Sequence, residues 1–103
     1  MQTTMHIHAT LQWLCDRDPA GRRAGVVRVH PDANTRDYVW SCTVADDGRG
    51  TLELYGAIAM VGNVFAIRRA LHRAAKADPD GRFTQVRWER LRSGGFVTVQ
   101  FDG

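Results

Sequence analysis

Hydrophobic and polar residues alternate with period two from Met5 to Trp13. Met5, Ile7, Ala9, Leu11 and Trp13 share one side, and His6, His8, Thr10 and Gln12 share the other. That spacing predicts a half-buried β-strand. The stretch from Asp16 to Gly25 carries Asp18-Pro19-Ala20-Gly21 and a charged pair, and reads as a loop. Val26–His30 is then a short β-branched strand stopped by Pro31, and Asp32 to Arg36 is a polar connection. Tyr38, Trp40, Cys42 and Val44 alternate with Val39, Ser41 and Thr43, which predicts a third strand. The turn Asp46-Asp47-Gly48-Arg49-Gly50 has glycines suited to positive φ. Beyond it, Leu52, Leu54, Ile58 and Met60 oppose Glu53 and Tyr55, so a fourth strand is expected over Thr51–Met60.

After Gly62-Asn63 the period changes. Val64, Ile67, Leu71 and Ala74 recur at helical spacing, predicting an amphipathic helix over Val64–Ala77. Asn63 suits its N-cap, while Arg73 and Lys76 suit the negative pole at its end. Asp78-Pro79-Asp80-Gly81 terminates it. A closing hairpin spans Phe83–Arg92 and Phe96–Phe101. A two-residue turn, Ser93-Gly94 or Gly94-Gly95, puts Val86 and Trp88 on the face of Val97, Val99 and Phe101. The expected fold class is α+β, a mostly antiparallel sheet of about six strands with one main amphipathic helix, in the order β-β-β-β-α-β-β. Residues 1–103 read as a single domain, since no repeat, low-complexity tract or linker divides them.

Composition narrows the function classes. With 44% hydrophobic residues the chain is built to fold. No apolar run approaches a membrane span, and the N-terminus lacks signal-peptide character, so a cytoplasmic protein with no membrane partner is expected. Two cysteines, Cys15 and Cys42, do not make a disulfide framework and are expected as buried free thiols. The net charge is only +3, yet all but one of the 14 cationic side chains are arginine, Lys76 being the exception. Base composition explains such a bias; arginine also suits phosphate and carboxylate contacts.

Candidate chemistry is sparse. His6 and His8 project from one side of the first strand, roughly 7 Å apart, but a metal site needs further ligands, and His30 and His72 join only through the fold. The aspartates of the two turns lack a calcium-loop pattern and are accounted for as turn residues. No metal or cofactor is expected, and no catalytic residue is assigned.

The most suggestive constellation is the outer helix face. Phe65, Arg69, His72 and Lys76 recur at helical spacing, flanked by Arg68 and Arg73. Such a stripe attracts phosphates or acidic protein surfaces, and the aromatic residue offers a base or a partner's pocket something to stack on. The simpler alternative is a solvated face with Phe65 bent back onto the sheet. A secondary basic cluster, Arg87, Arg90 and Arg92, borders the last hairpin, with Glu89 partly offsetting it.

The strand–helix junction at Ala57–Ile67 resembles the C-terminal half of the GNAT acyltransferases. There a Q/R-x-x-G-x-G/A loop presents backbone N–H groups to the pyrophosphate of acyl-coenzyme A. With Gly62 as the first glycine, Ala59 stands at the Q/R position and Val64 at the last small position, so no acyl-CoA activity is expected. In size and arginine content the chain also resembles accessory proteins of phages and other mobile elements, some of which inhibit host enzymes stoichiometrically. The leading expectation is therefore a non-enzymatic binding module for an acidic protein surface or a nucleic-acid backbone, with a homo-oligomer left open. The alternative is a small enzyme or ligand-binding domain with a pocket near Trp40, Cys42 and His72.

Overall fold

The alternating segments and the helical segment become six strands and one helix in the computed structural model, which describes residues 7–56, 64–89 and 96–100. The elements are β1 (His8–Trp13), β2 (Arg23–His30), β3 (Trp40–Asp46), β4 (Thr51–Tyr55), α1 (Val64–Ala77), β5 (Gln85–Glu89) and β6 (Phe96–Gln100). The strands lie in the sheet in chain order. Neighbours are antiparallel except β4 and β5, which run parallel. Parallel neighbours cannot be joined by a tight turn, and α1 provides the crossover. The architecture is α+β: a mostly antiparallel sheet with α1 lying against β1.

Helix α1 occupies the range that its periodicity predicts. Its buried face centres on Ile67, Ala70, Leu71 and Ala75, with Ala74 partly covered. These meet the inward side of the sheet: Ala9, Val27, Val29, Val44, Leu52, Leu54, Val86 and Trp88. The other side of the sheet is polar over much of its area, with His8, Thr10, Gln12, Ser41 and Thr43 exposed. Asn63, the expected cap, lies outside the described residues, as does the stretch from Ile58 to Met60 assigned to the fourth strand. β4 is described only to Tyr55.

Two strand boundaries differ from expectation for one reason. β2 begins at Arg23, inside the stretch read as a loop, and β3 runs to Asp46, into the stretch read as a turn. In both extensions an inward position is charged, which breaks the apolar alternation. Arg23 and Asp46 are direct cross-strand partners, 9% and 3% exposed. Gly25 interrupts the β-branched pattern because a Cβ there would lie 2.5 Å from the Gln12 carbonyl oxygen. At the other end, Tyr38 and Val39 are exposed and precede β3, which starts at Trp40. The following turn uses Gly48 at φ 75° and Gly50 at φ 101°. Asp47 accepts the backbone N–H groups of Arg49 and Thr51 there, at 2.7 and 3.0 Å. Burial alone would raise its carboxyl, but these N–H groups outweigh that and hold it below the usual range.

In the last pair, Val86 lies opposite Val99 and Trp88 opposite Val97. The parity matches the burial argument, although the register is offset by two residues from a Ser93-Gly94 turn, which would oppose Trp88 to Val99. Residues 90–95 lie outside the described ones.

Arg23 sits at the centre of an ionic network. Its Nε donates to Asp46 Oδ2 at 3.1 Å, and one Nη donates to Asp78 Oδ2 at 2.6 Å. Its guanidinium lies 3.8 Å from the Trp13 ring centroid, and the Trp13 indole N–H donates to Asp78 Oδ1 at 3.1 Å. Phe83 stacks against Trp13, the rings inclined at 22°. Arg17 extends the network outward, reaching Asp46 at 2.8 Å and Asp80 at 3.0 Å. Its hydrogen bond holds Asp80 below the usual carboxylate range, and that bond raises Arg17 in turn.

Two stability predictions follow from this packing. Leu71→Ala removes a fully buried side chain and is expected to cost about 2–5 kcal/mol in urea unfolding; a loss under about half a kcal/mol would mean that α1 does not pack through this residue. Arg23→Ala leaves Asp46 and Asp78 without their shared buried cation and is expected to cost about 3–5 kcal/mol. Arg17→Ala, whose side chain is 30% exposed, should cost clearly less in the same assay.

Candidate binding surface on the helix

Every charged residue of α1 is cationic: Arg68, Arg69, Arg73 and Lys76, with His72 among them. A helix that only needed solvation would gain from mixed signs at i,i+4 spacing. Here Arg69 and Arg73 repel at that spacing, by roughly 0.2–0.5 kcal/mol. Arg69, exposed, makes no ion pair with any described residue.

Phe65 is 68% exposed rather than folded back onto the sheet. The Arg68 guanidinium lies over its ring, 5.3 Å from the centroid, which holds the aromatic face beside the charge. Phe65, Arg69 and Lys76 thus form an outward stripe with Arg68 half-buried at its side. Two members of the expected set lie elsewhere. His72 is half-buried and its Nε2 is shut from solvent, so it is not a surface residue of the stripe. Arg73 is exposed but turns toward β1, where an Nη donates to the Ile7 carbonyl at 3.1 Å.

The secondary cluster does not form a separate basic patch among the described residues. Arg87 lies across from Glu53 in the β4–β5 pairing, and the two side chains approach to 3.6 Å. Arg22 approaches Glu53 at 4.0 Å. Arg90 and Arg92 lie outside the described residues.

The histidines and thiols are distributed as follows. His8 is exposed, 6.2 Å from His30 between ring centroids; His6 lies outside the described residues. Both ring nitrogens of buried His30 are engaged, Nδ1 with the Asp37 carbonyl at 2.8 Å and Nε2 with the Thr10 hydroxyl at 3.0 Å. Cys15, expected to be buried, is exposed. β1 ends at Trp13, so the inward parity extrapolated to residue 15 no longer applies. Cys42 is half-buried, and burial pushes its thiol up to about 12. It is therefore protonated at neutral pH and a poor nucleophile.

Three cavities stand out among the described residues. The largest, about 560 Å³, is a groove between β1 and α1 lined by Ala9, Leu11, Ala70, Arg73, Ala74 and Ala77 among others. A second, about 370 Å³, lies beside Trp13, Cys15 and Arg17, and a third, about 280 Å³, beside Arg17, Asp46 and Arg82. None of these is lined by Trp40, Cys42 or His72, the place proposed for a pocket from the sequence. Four charged groups of the latter two, Arg17, Arg23, Asp46 and Asp80, are occupied with one another.

No protein-family model matches the chain, and no curated protein or solved structure does either. The groove and the Arg23 network were both missed by sequence reasoning. The signal for the network was present as charged residues at inward parity, Arg23 and Asp46. The groove depends on which strand forms the sheet edge, which parity does not encode.

Exposure separates the two thiols in a labelling experiment. Cys15 should react with a thiol reagent in the native protein at close to the rate of a free thiol. Cys42 should react only after denaturation. Equal native rates would mean that Cys42 is not covered as described.

Proposed function

We propose that the protein is a non-enzymatic binding module that engages an acidic partner surface through the outward face of α1. The observation that carries this reading is Phe65, exposed with Arg68 stacked on it, within a helix whose charges are all positive. An isolated soluble helix gains nothing from such an arrangement. Like charges repel along it, and an aromatic ring held in water forgoes burial worth roughly 1.5–3 kcal/mol. Both costs disappear when an anionic, partly apolar surface covers the stripe. Aromatic and arginine side chains grouped in this way match the composition of binding hot spots. An acidic protein surface is favoured over a nucleic-acid backbone, because backbone contacts need charge and have no use for an isolated phenyl ring at the end of the stripe. A role as an accessory or inhibitor protein of a mobile element fits this reading.

The test is capture from the lysate of the source cell, with and without nuclease, using wild-type protein, the Arg69→Glu, Lys76→Glu double mutant, and Phe65→Ala. Both variants should keep wild-type stability within about half a kcal/mol, and the specifically captured partner should be lost or weakened by about tenfold or more. Nuclease sensitivity, with a steep salt dependence that the double mutant flattens, would turn the reading to nucleic acid. A folded double mutant that retains every partner at full strength would refute the surface.

A further inference from the structure

The groove between β1 and α1 coincides with an open sheet edge. Among the described residues, β1 is the first strand of the sheet and pairs with β2 alone. In an antiparallel pair, opposed residues alternate between those that exchange backbone hydrogen bonds and those whose groups point away. Leu14 N–H donates to the opposed Ala24 carbonyl at 3.0 Å, so the even-numbered residues of β1 face β2. The N–H and C=O groups of Ala9 and Leu11 therefore point outward along the free edge. Ile7 has the same parity, and its carbonyl accepts from Arg73 of α1, as an outward group should. Ala70, Ala74 and Ala77 keep the helix wall low, leaving the space of about 560 Å³ beside that edge.

We propose that this groove docks an extended acidic peptide segment of another protein as an added strand on β1. The free backbone groups of Ala9 and Leu11 require an extended main chain, because only a strand presents donors and acceptors at their spacing. The alanine wall admits small apolar side chains on one side of that strand. Charge decides the rest. Asp78 at the groove's end is already paired with Arg23 and accepts a hydrogen bond from the Trp13 indole, whereas Arg73 is exposed and carries its charge onto the rim. The occupant is thus expected to carry small apolar residues at alternate positions, on its α1 side, with an acidic residue among those positions near Arg73. This surface lies on the β1 flank of α1 and stands independently of the Phe65 stripe.

The experiment is selection from a displayed library of random decapeptides against the intact protein, followed by amide hydrogen exchange by NMR. Selected peptides should carry small apolar residues at alternate positions with an acidic residue in the same phase, and should lack proline in their central residues. On binding, the Ala9 and Leu11 amides should become protected by about tenfold or more. Ala77→Trp fills the groove from an exposed position, and Arg73→Glu reverses its charge. Each should weaken the selected peptide by about tenfold or more while the free variant keeps its folded NMR spectrum. Three results would overturn the proposal: no peptide is selected; the selected peptides leave both amides unchanged; or both amides are already protected in a free protein that sediments as a dimer, a second copy occupying the edge. Because the readout is at Ala9 and Leu11, its failure leaves the Phe65 stripe untouched, and loss of the stripe leaves this signal in place.

Discussion

The shared Arg23 guanidinium is the interaction on which the arrangement of the elements depends. It lies on β2, faces Asp46 on β3, holds Asp78 just past the end of α1, and rests on Trp13 at the end of β1. Four segments distant in sequence thereby meet around one cation. Buried ion pairs are weak evidence for net stability, since apolar residues of equal volume often serve as well. Their effect here is on register. A slip of β2 against β3 would separate Arg23 from its opposed carboxylate and turn the buried charges toward apolar neighbours. The same bond to Asp78 ties the end of α1 to β2, and so bears on how the helix lies beside β1.

That placement shapes both candidate surfaces. With its end tied to Arg23 and its alanines turned toward β1, the helix presents Phe65, Arg69 and Lys76 outward and Arg73 toward the sheet edge. The cationic residues of one short segment are thereby divided between an outward stripe and a groove. Elsewhere among the described residues, four arginines meet carboxylates: Arg17 and Arg23 in the network, Arg22 and Arg87 at Glu53. The mild overall charge thus conceals an uneven distribution, and α1 carries the part that no acidic residue of its own offsets.

Much of this was legible beforehand. The helix range and the inward side of β1 follow from periodicity, because in both the core positions are apolar. β2 and β3 were read short where Arg23 and Asp46 take core positions, since an alternation rule treats charge as the end of a strand. Cys15 was misplaced because parity was carried beyond the strand that sustains it. The stripe was partly legible: spacing gathers Phe65, Arg69 and Lys76, but it does not tell how far neighbouring segments reach the flanks of the helix, where His72 is half-buried and Arg73 meets the Ile7 carbonyl. Parity tells which side of a sheet a residue occupies and nothing about which strand lies next to which. The parallel β4–β5 joint and the free edge of β1 therefore required the folded structure.

The position of α1 in the chain also bears on how the protein emerges from the ribosome. The first four strands can pair in succession as they appear, each with its immediate predecessor. Their inward side, with Val27, Val29, Val44, Leu52 and Leu54, has no helix to cover it until residue 77 has been made. For that interval the nascent chain exposes an apolar sheet surface, a state prone to association with other chains and to recognition by chaperones. A stall or truncation ahead of α1 would leave that half-sheet open to such association, and completion of this one helix is what covers it.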